Sequence, residues 1–122
     1  MQMLANSVVG LVALLHLLFL VLEMFFWTKP LGRRVFGLER GFAEASATLA
    51  ANQGLYNGFL AAGLLWGLLA GPDGFWIKIF FSSCVVVAGI FGAATASRSI
   101  LWIQALPGAV ALVSTWLVGA HG

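Results

Sequence analysis

Charge is what this sequence has least of. Of its 122 residues, six are Lys or Arg and four are Asp or Glu, 8% in all, against 61% apolar. A water-soluble domain of this size needs about a quarter of its residues charged to cover its surface. With a mean hydropathy of +1.02, the composition predicts an integral membrane protein before any pattern is read. The formal charge of +2 is too small and too local to point to nucleic acid. Cysteine is nearly absent too. The single thiol, Cys84, excludes an intramolecular disulfide and is expected to pack as a small apolar side chain.

Catalytic signatures are missing as well. The sequence holds no H-E-x-x-H, C-x-x-C, P-loop or G-x-S-x-G, which are the patterns that would place a metal, a redox dithiol, a phosphate cradle or an activated serine. Its two histidines, His16 and His121, make no convincing metal set. No cofactor and no metal are therefore expected, no residue is assigned a catalytic role, and the balance tilts away from an enzyme. No arginine lies deep in an apolar run, which argues against a voltage sensor or a dedicated anion pore.

What is present is long apolar runs separated by short breaks. A bilayer span takes about 20 apolar residues, and four runs qualify, over about 4–27, 43–70, 75–96 and 100–119. The first has no basic leader and no small-residue cleavage pattern, so it reads as a span that stays rather than as a signal peptide. Lys29-Pro30-Leu31-Gly32-Arg33-Arg34 stops it, Gly71-Pro72-Asp73-Gly74 breaks the second from the third, and Ser97-Arg98-Ser99 divides the third from the fourth. Pro107-Gly108 predicts a kink inside the last. The expected fold is thus all-α: a single domain, 1–122, forming a four-helix transmembrane bundle, up-down-up-down. Lys29, Arg33, Arg34, Arg40 and Arg98 fall in loops on one face, and Lys78 stands alone on the other. Basic loops stay in the cytoplasm, which predicts N-out/C-out. Trp27 and Trp102 then mark the inner interface, and Trp66, Trp76 and Trp116 the outer one. The first loop, with Arg33, Arg34, Val35, Phe36 and Phe42, is expected to lie along the headgroups.

Polar side chains at membrane depth are costly and so converge on the interior or on a cavity. In the first span these are His16 and Glu23, two helical turns apart and hence on one face. In the second span Asn52, Gln53, Tyr56 and Asn57 sweep an arc of about 140° at 100° per residue. Gln104 opens the fourth span. Counted from the cytoplasmic ends, these groups fall at similar or neighbouring depths. They predict one ligand-binding polar site in the cytoplasmic half of the bundle, with Glu44 and Arg98 at its mouth. Amides and a histidine that merely bond across helices are the plainer alternative. Ala50, Gly54, Gly58 and Ala62 recur every fourth position, as do Ala88, Gly92 and Ala96. These predict close helix packing, within the bundle or between copies of the chain.

The stretches Glu23-Met24-Phe25-Phe26-Trp27-Thr28-Lys29-Pro30, Arg34-Val35-Phe36-Gly37-Leu38 and Ala50 to Gly63, with Gln104-Pro107-Gly108, resemble a family of small bacterial four-helix membrane proteins catalogued only as a domain of unknown function. The resemblance spans nearly the whole chain. It implies the four-helix membrane fold and a place in the bacterial inner (cytoplasmic) membrane, and supplies no activity. Locally, Ala51-Asn52-Gln53 with Asn57 also resembles the second-helix signature of the membrane-associated eicosanoid and glutathione metabolism proteins, trimers that bind glutathione between subunits. Where that family has an arginine and an acidic residue, Leu49 and Tyr56 stand here. Three functions follow as expectations: binding or transport of a small molecule by a homo-oligomer in the lipid bilayer, a glutathione-dependent membrane enzyme, or a structural membrane subunit.

Overall fold

The computed structural model describes residues 1–97 and 99–121. All of their regular structure is helical: α1 Gln2–Phe25, α2 Pro30–Phe36, α3 Arg40–Leu69, α4 Phe75–Thr95 and α5 Leu106–His121. A 3₁₀ turn, Gly71–Gly74, leads into α4, and a π-helical turn, Leu101–Ala105, leads into α5. Three stretches are long and apolar enough to cross a membrane: Gln2–Phe25, Gly71–Thr95 and Leu101–Gly119. With 30 residues, α3 is longer than any of them, but Asn52, Gln53 and Asn57, with charges at Arg40 and Glu44, make it more polar.

Two local features show how the sequence sets these boundaries. Pro30 stands at the first position of α2, where the N–H it lacks would have no helical partner. Gly37 then ends that helix at φ +66°, and the Leu38 N–H reaches back to the Arg33 carbonyl, a close that only glycine makes without steric cost. The first loop therefore contains a short basic helix. Before α5, the Leu106 N–H donates to the Leu101 carbonyl, five residues back. Pro107 has no N–H to give the Ile103 carbonyl, and its ring crowds that oxygen. The wide π turn relieves both, and so the disturbance expected at Pro107-Gly108 sits one turn earlier.

The chain divides into two compact units, Met1–Leu14 with Leu60–Gly122, and Leu15–Phe59. In the first, Val9, Val12, Ala13, Leu64, Val85 and Ala111 form a fully buried apolar core, flanked by Val8, Leu60, Leu68 and Phe81. The buried positions of α4 are Lys78, Ser82, Val85 and Gly89, spaced alternately four and three. That is the row one helix shows another in close, near-parallel packing. A Cβ on Gly89 would stand 2.7 Å from the Ala105 nitrogen. The stripe expected at Ala88, Gly92 and Ala96 is off by one position. Ala88 and Ala96 are exposed, and Gly92 alone keeps a contact, with Ile100. Cys84 is half-buried on the same helix and lines a shallow apolar groove with Phe80 and Val87, so it lies at the edge of the packing rather than in its core. The rings of Phe75, Trp76 and Trp116 cluster at 4.9–6.2 Å between centroids, which brings the start of α4 and the end of α5 to one level.

In the second unit α3 buries Ala43, Ala50, Gly54 and Asn57. Gly54 and Gly58 both meet α1: a Cβ on Gly54 would lie 2.7 Å from Met24 Cγ and 3.2 Å from the Leu20 carbonyl, and one on Gly58 2.6 Å from Leu20 Cδ1. Ala62, the next in the expected every-fourth row, is exposed, because a strict four-residue step drifts away from a contact row that averages 3.5. Trp27 Nε1 donates to Ser46 Oγ at 3.0 Å and its ring packs on Phe36, centroids 5.0 Å apart, tying the segment after α1 to α2 and α3.

Gly54→Val should destabilise the protein by about 1–3 kcal/mol, the usual cost of overpacking a tight contact. Gly41→Ala, where a Cβ meets nothing within 4 Å, should not lower stability. Thermal melting of the two variants in detergent micelles checks this, and equal midpoints would contradict it.

Candidate functional site

The polar residues of α1 and α3 separate according to the contact rows. His16 falls on the buried face of α1, only 1% exposed, with its ring edge-on to Phe19 at 5.5 Å. Glu23, seven residues on, keeps the same face and is half-buried. On α3, Asn57 occupies a contact-row position and is 5% exposed. Its side-chain Nδ2 donates to Glu23 Oε1. A carboxylate can only accept, so this bond fixes which way the amide points. Gly54 makes the bond possible: with no side chain of its own, it lets α3 come down on Glu23 Cβ, 3.1 Å from where its own Cβ would be. The chemistry of the pair is that of a carboxyl oriented by an amide donor, a group that can hold a proton or accept a ligand's N–H or O–H.

The other expected members do not join this pair. Asn52, Gln53 and Tyr56 face outward from the chain, Tyr56 with 55% of its surface exposed and its ring beside Phe59. Glu44 is exposed near the start of α3. Gln104 lies half-buried in the π turn of the other unit, and its amide has no hydrogen-bond partner among the described residues. Arg98, the second group expected at the mouth, lies outside the described residues. Of the seven ligand residues read from the sequence, Glu23 and Asn57 are the two that the structure bonds together.

A second polar centre lies outside the sequence expectations. In the unit formed by Met1–Leu14 and Leu60–Gly122, Lys78 is 4% exposed although it carries an ammonium, and its Nζ donates to Asn6 Oδ1 at 2.9 Å. Gln2 Nε2 donates to the same oxygen at 3.2 Å. These groups line a cavity of about 510 Å³ together with Thr115, Leu68 and Phe75. Thr115 is 3% exposed and its Oγ1 has no hydrogen-bond partner among the described residues; Ser82 Oγ, one turn further along α4 than Lys78, has none among them either. The sequence did carry a signal: Lys78 is the one charge inside the apolar run from Phe75 to Ala96, and charges in such runs mark function or an internal partner.

The profile of the family described as proteins of unknown function, DUF1304, matches residues 10–116, and the chain belongs to that family. The uncharacterized protein YpaA of Lactococcus lactis subsp. lactis (strain IL1403) is 28% identical over 108 residues, 87% of this chain and 91% of its own length. No solved structure matches the chain.

Asn57→Ala should cost about 1–3 kcal/mol, because it strips the half-buried carboxyl of its donor. The double variant Glu23→Ala/Asn57→Ala should lose less than the sum of the two single changes, by about 0.5–2 kcal/mol of coupling. Melting midpoints of the four proteins close the cycle, and strict additivity would mean that the bond contributes nothing.

Proposed function

We propose that this member of the DUF1304 family is a four-span protein of the bacterial cytoplasmic membrane that binds or carries a small molecule at an intramembrane polar site on α1 and α3. The observation that carries this reading is the Glu23–Asn57 pair, a carboxyl and an amide bonded to each other on helices of membrane-spanning length. Desolvating such groups is costly, and apolar residues of similar volume would pack the same row without that cost. At 1.5 Å per residue α3 reaches about 45 Å, enough to cross a hydrocarbon core of about 30 Å despite its polarity. Short basic α2, with Arg33 and Arg34, sits between α1 and α3. The lone basic residue of the opposite side, Lys78, is buried and adds no exposed positive charge there. Both favour the N-out/C-out orientation.

The outward row of Thr48, Asn52, Gln53 and Tyr56 supports an oligomer. On a membrane-spanning α3 these side chains would otherwise face lipid, where amides have no partner. A second copy of the chain, applied to that face, would shelter them and complete the site with His16, Glu23 and Asn57 behind it. Glu44, near the start of α3, is its proposed mouth.

Mass spectrometry of small molecules retained by the purified protein tests the reading. A compound class enriched on the parent should fall to background on Asn52→Leu and on Asn57→Leu. The double variant Asn52→Cys/Cys84→Ala should form disulfide-linked dimers in membranes. Retention that neither leucine variant alters would refute the binding site, and a strictly monomeric Asn52→Cys/Cys84→Ala protein would refute the shared face.

A further inference from the structure

We propose that the cavity beside Lys78 is an anion site, built to take the carboxylate or phosphate of a small amphiphile. The inference rests on hydrogen-bond bookkeeping within one unit of the chain and is independent of the Glu23–Asn57 site. An ammonium has three N–H donors and no acceptor. Lys78 uses one on Asn6 Oδ1, and among the described residues the other two meet no acceptor. Because an ammonium can only donate, Asn6 must present its oxygen to Lys78, which turns its NH₂ elsewhere. The oxygen already accepts from both Lys78 and Gln2, and the NH₂ has no acceptor of its own among the described residues. Thr115 adds, on the cavity wall, a buried hydroxyl without a partner among the described residues.

The unmet groups are therefore mostly donors, gathered round a positive charge that has no carboxylate bonded to it among the described residues. A buried charge left in that state is strongly disfavoured, and an oxyanion answers both deficits together, supplying the counter-charge and several acceptor lone pairs. Water brings as many donors as acceptors and no charge. The remaining wall, Leu68, Phe75 and Val118, is apolar, suited to a short hydrocarbon portion. The volume of about 510 Å³ lies in the range that holds small organic ligands and is larger than a bare inorganic ion requires. Gln2 begins α1, Lys78 lies one turn into α4, and Gly71-Pro72 at the α3–α4 turn completes the rim. The cavity thus opens at helix ends, within reach both of a phospholipid headgroup and of a soluble organic acid; the two share the oxyanion that Lys78 would recognise.

The full-length protein in detergent should bind hexanoate or hexyl phosphate by calorimetry, or retain phosphatidylglycerol over phosphatidylcholine when released from mixed-lipid nanodiscs in a native mass spectrometer. Binding of the soluble anions alone identifies a soluble ligand, and selective retention of the lipid alone identifies a headgroup; either supports the site. Lys78→Gln should weaken the interaction by about tenfold or more, and Thr115→Val by about threefold, as expected for a charge-assisted and a neutral hydrogen bond. Cys84→Ala, in the other groove, should leave it unchanged. The proposal is overturned if no anion is bound by any of these measures, if hexyltrimethylammonium binds as well as hexanoate, or if Lys78→Gln binds like the parent. Should Lys78→Gln fail to fold, Thr115→Val decides, and an affinity equal to that of the parent would overturn the site.

Discussion

Close approach along rows of mostly small residues, three, four or seven positions apart on each helix, governs this structure. Each helix has its own row: Ala5, Val9, Val12 and His16 on α1, Ala43, Ala50, Gly54 and Asn57 on α3, and Lys78, Ser82, Val85 and Gly89 on α4. The π turn and α5 have theirs at Ala105, Gly108, Ala111 and Thr115. In lipid, helices as apolar as these would gain little from hiding one more leucine, and packing contact and buried hydrogen bonds would have to hold them together. Small side chains serve the first need by bringing backbones close. Polar groups on the same row serve the second, since nowhere else are they both shielded and within reach of a neighbour.

That placement explains why chemistry and packing cannot be separated here. Glu23 finds Asn57 because Gly54 lies one turn away on α3 and leaves room for the Glu23 stem. Lys78 sits on the α4 contact row, and a Cβ on Gly67 would stand 2.6 Å from its Cγ, so its stem passes over a glycine on the way to Asn6. In both cases an absent side chain makes the space in which a polar one is held. The π turn adds a third instance: Pro107 perturbs the helix, and the widened turn brings the Ala105 backbone against Gly89.

The two polar centres differ in character. The Glu23–Asn57 pair is a satisfied contact, a carboxyl matched by an amide. The Lys78 centre is unbalanced, rich in donors and bordered by a cavity. A matched pair can act as a structural link or a proton-holding group, whereas an unmatched one calls for something from outside the chain. The outward amides of α3 form a third category, polar groups that the single chain leaves uncovered.

Composition and local chain chemistry determined much of this protein by themselves. The apolar runs, the breaks at Lys29-Pro30 and Gly71-Pro72-Asp73-Gly74, and the membership of His16 and Glu23 in one face of α1 follow from residue counts and helix geometry, which need no partner to be defined. The phase of each contact row was not so determined. Asn52, Gln53, Tyr56 and Asn57 cover an arc of about 140° at 100° per residue, and any of them was eligible to meet α1; the tertiary structure selected Asn57. Likewise Ala88 and Gly89 differ by one position, and only the approach of Ala105 decided that Gly89 is inside. The cavity at Lys78 was decided in the same way, since Gln2, Asn6, Lys78 and Thr115 come from three helices far apart in sequence. Which polar groups meet depends on how helices are rotated against one another, and that is fixed by long-range packing rather than by anything a single helix records.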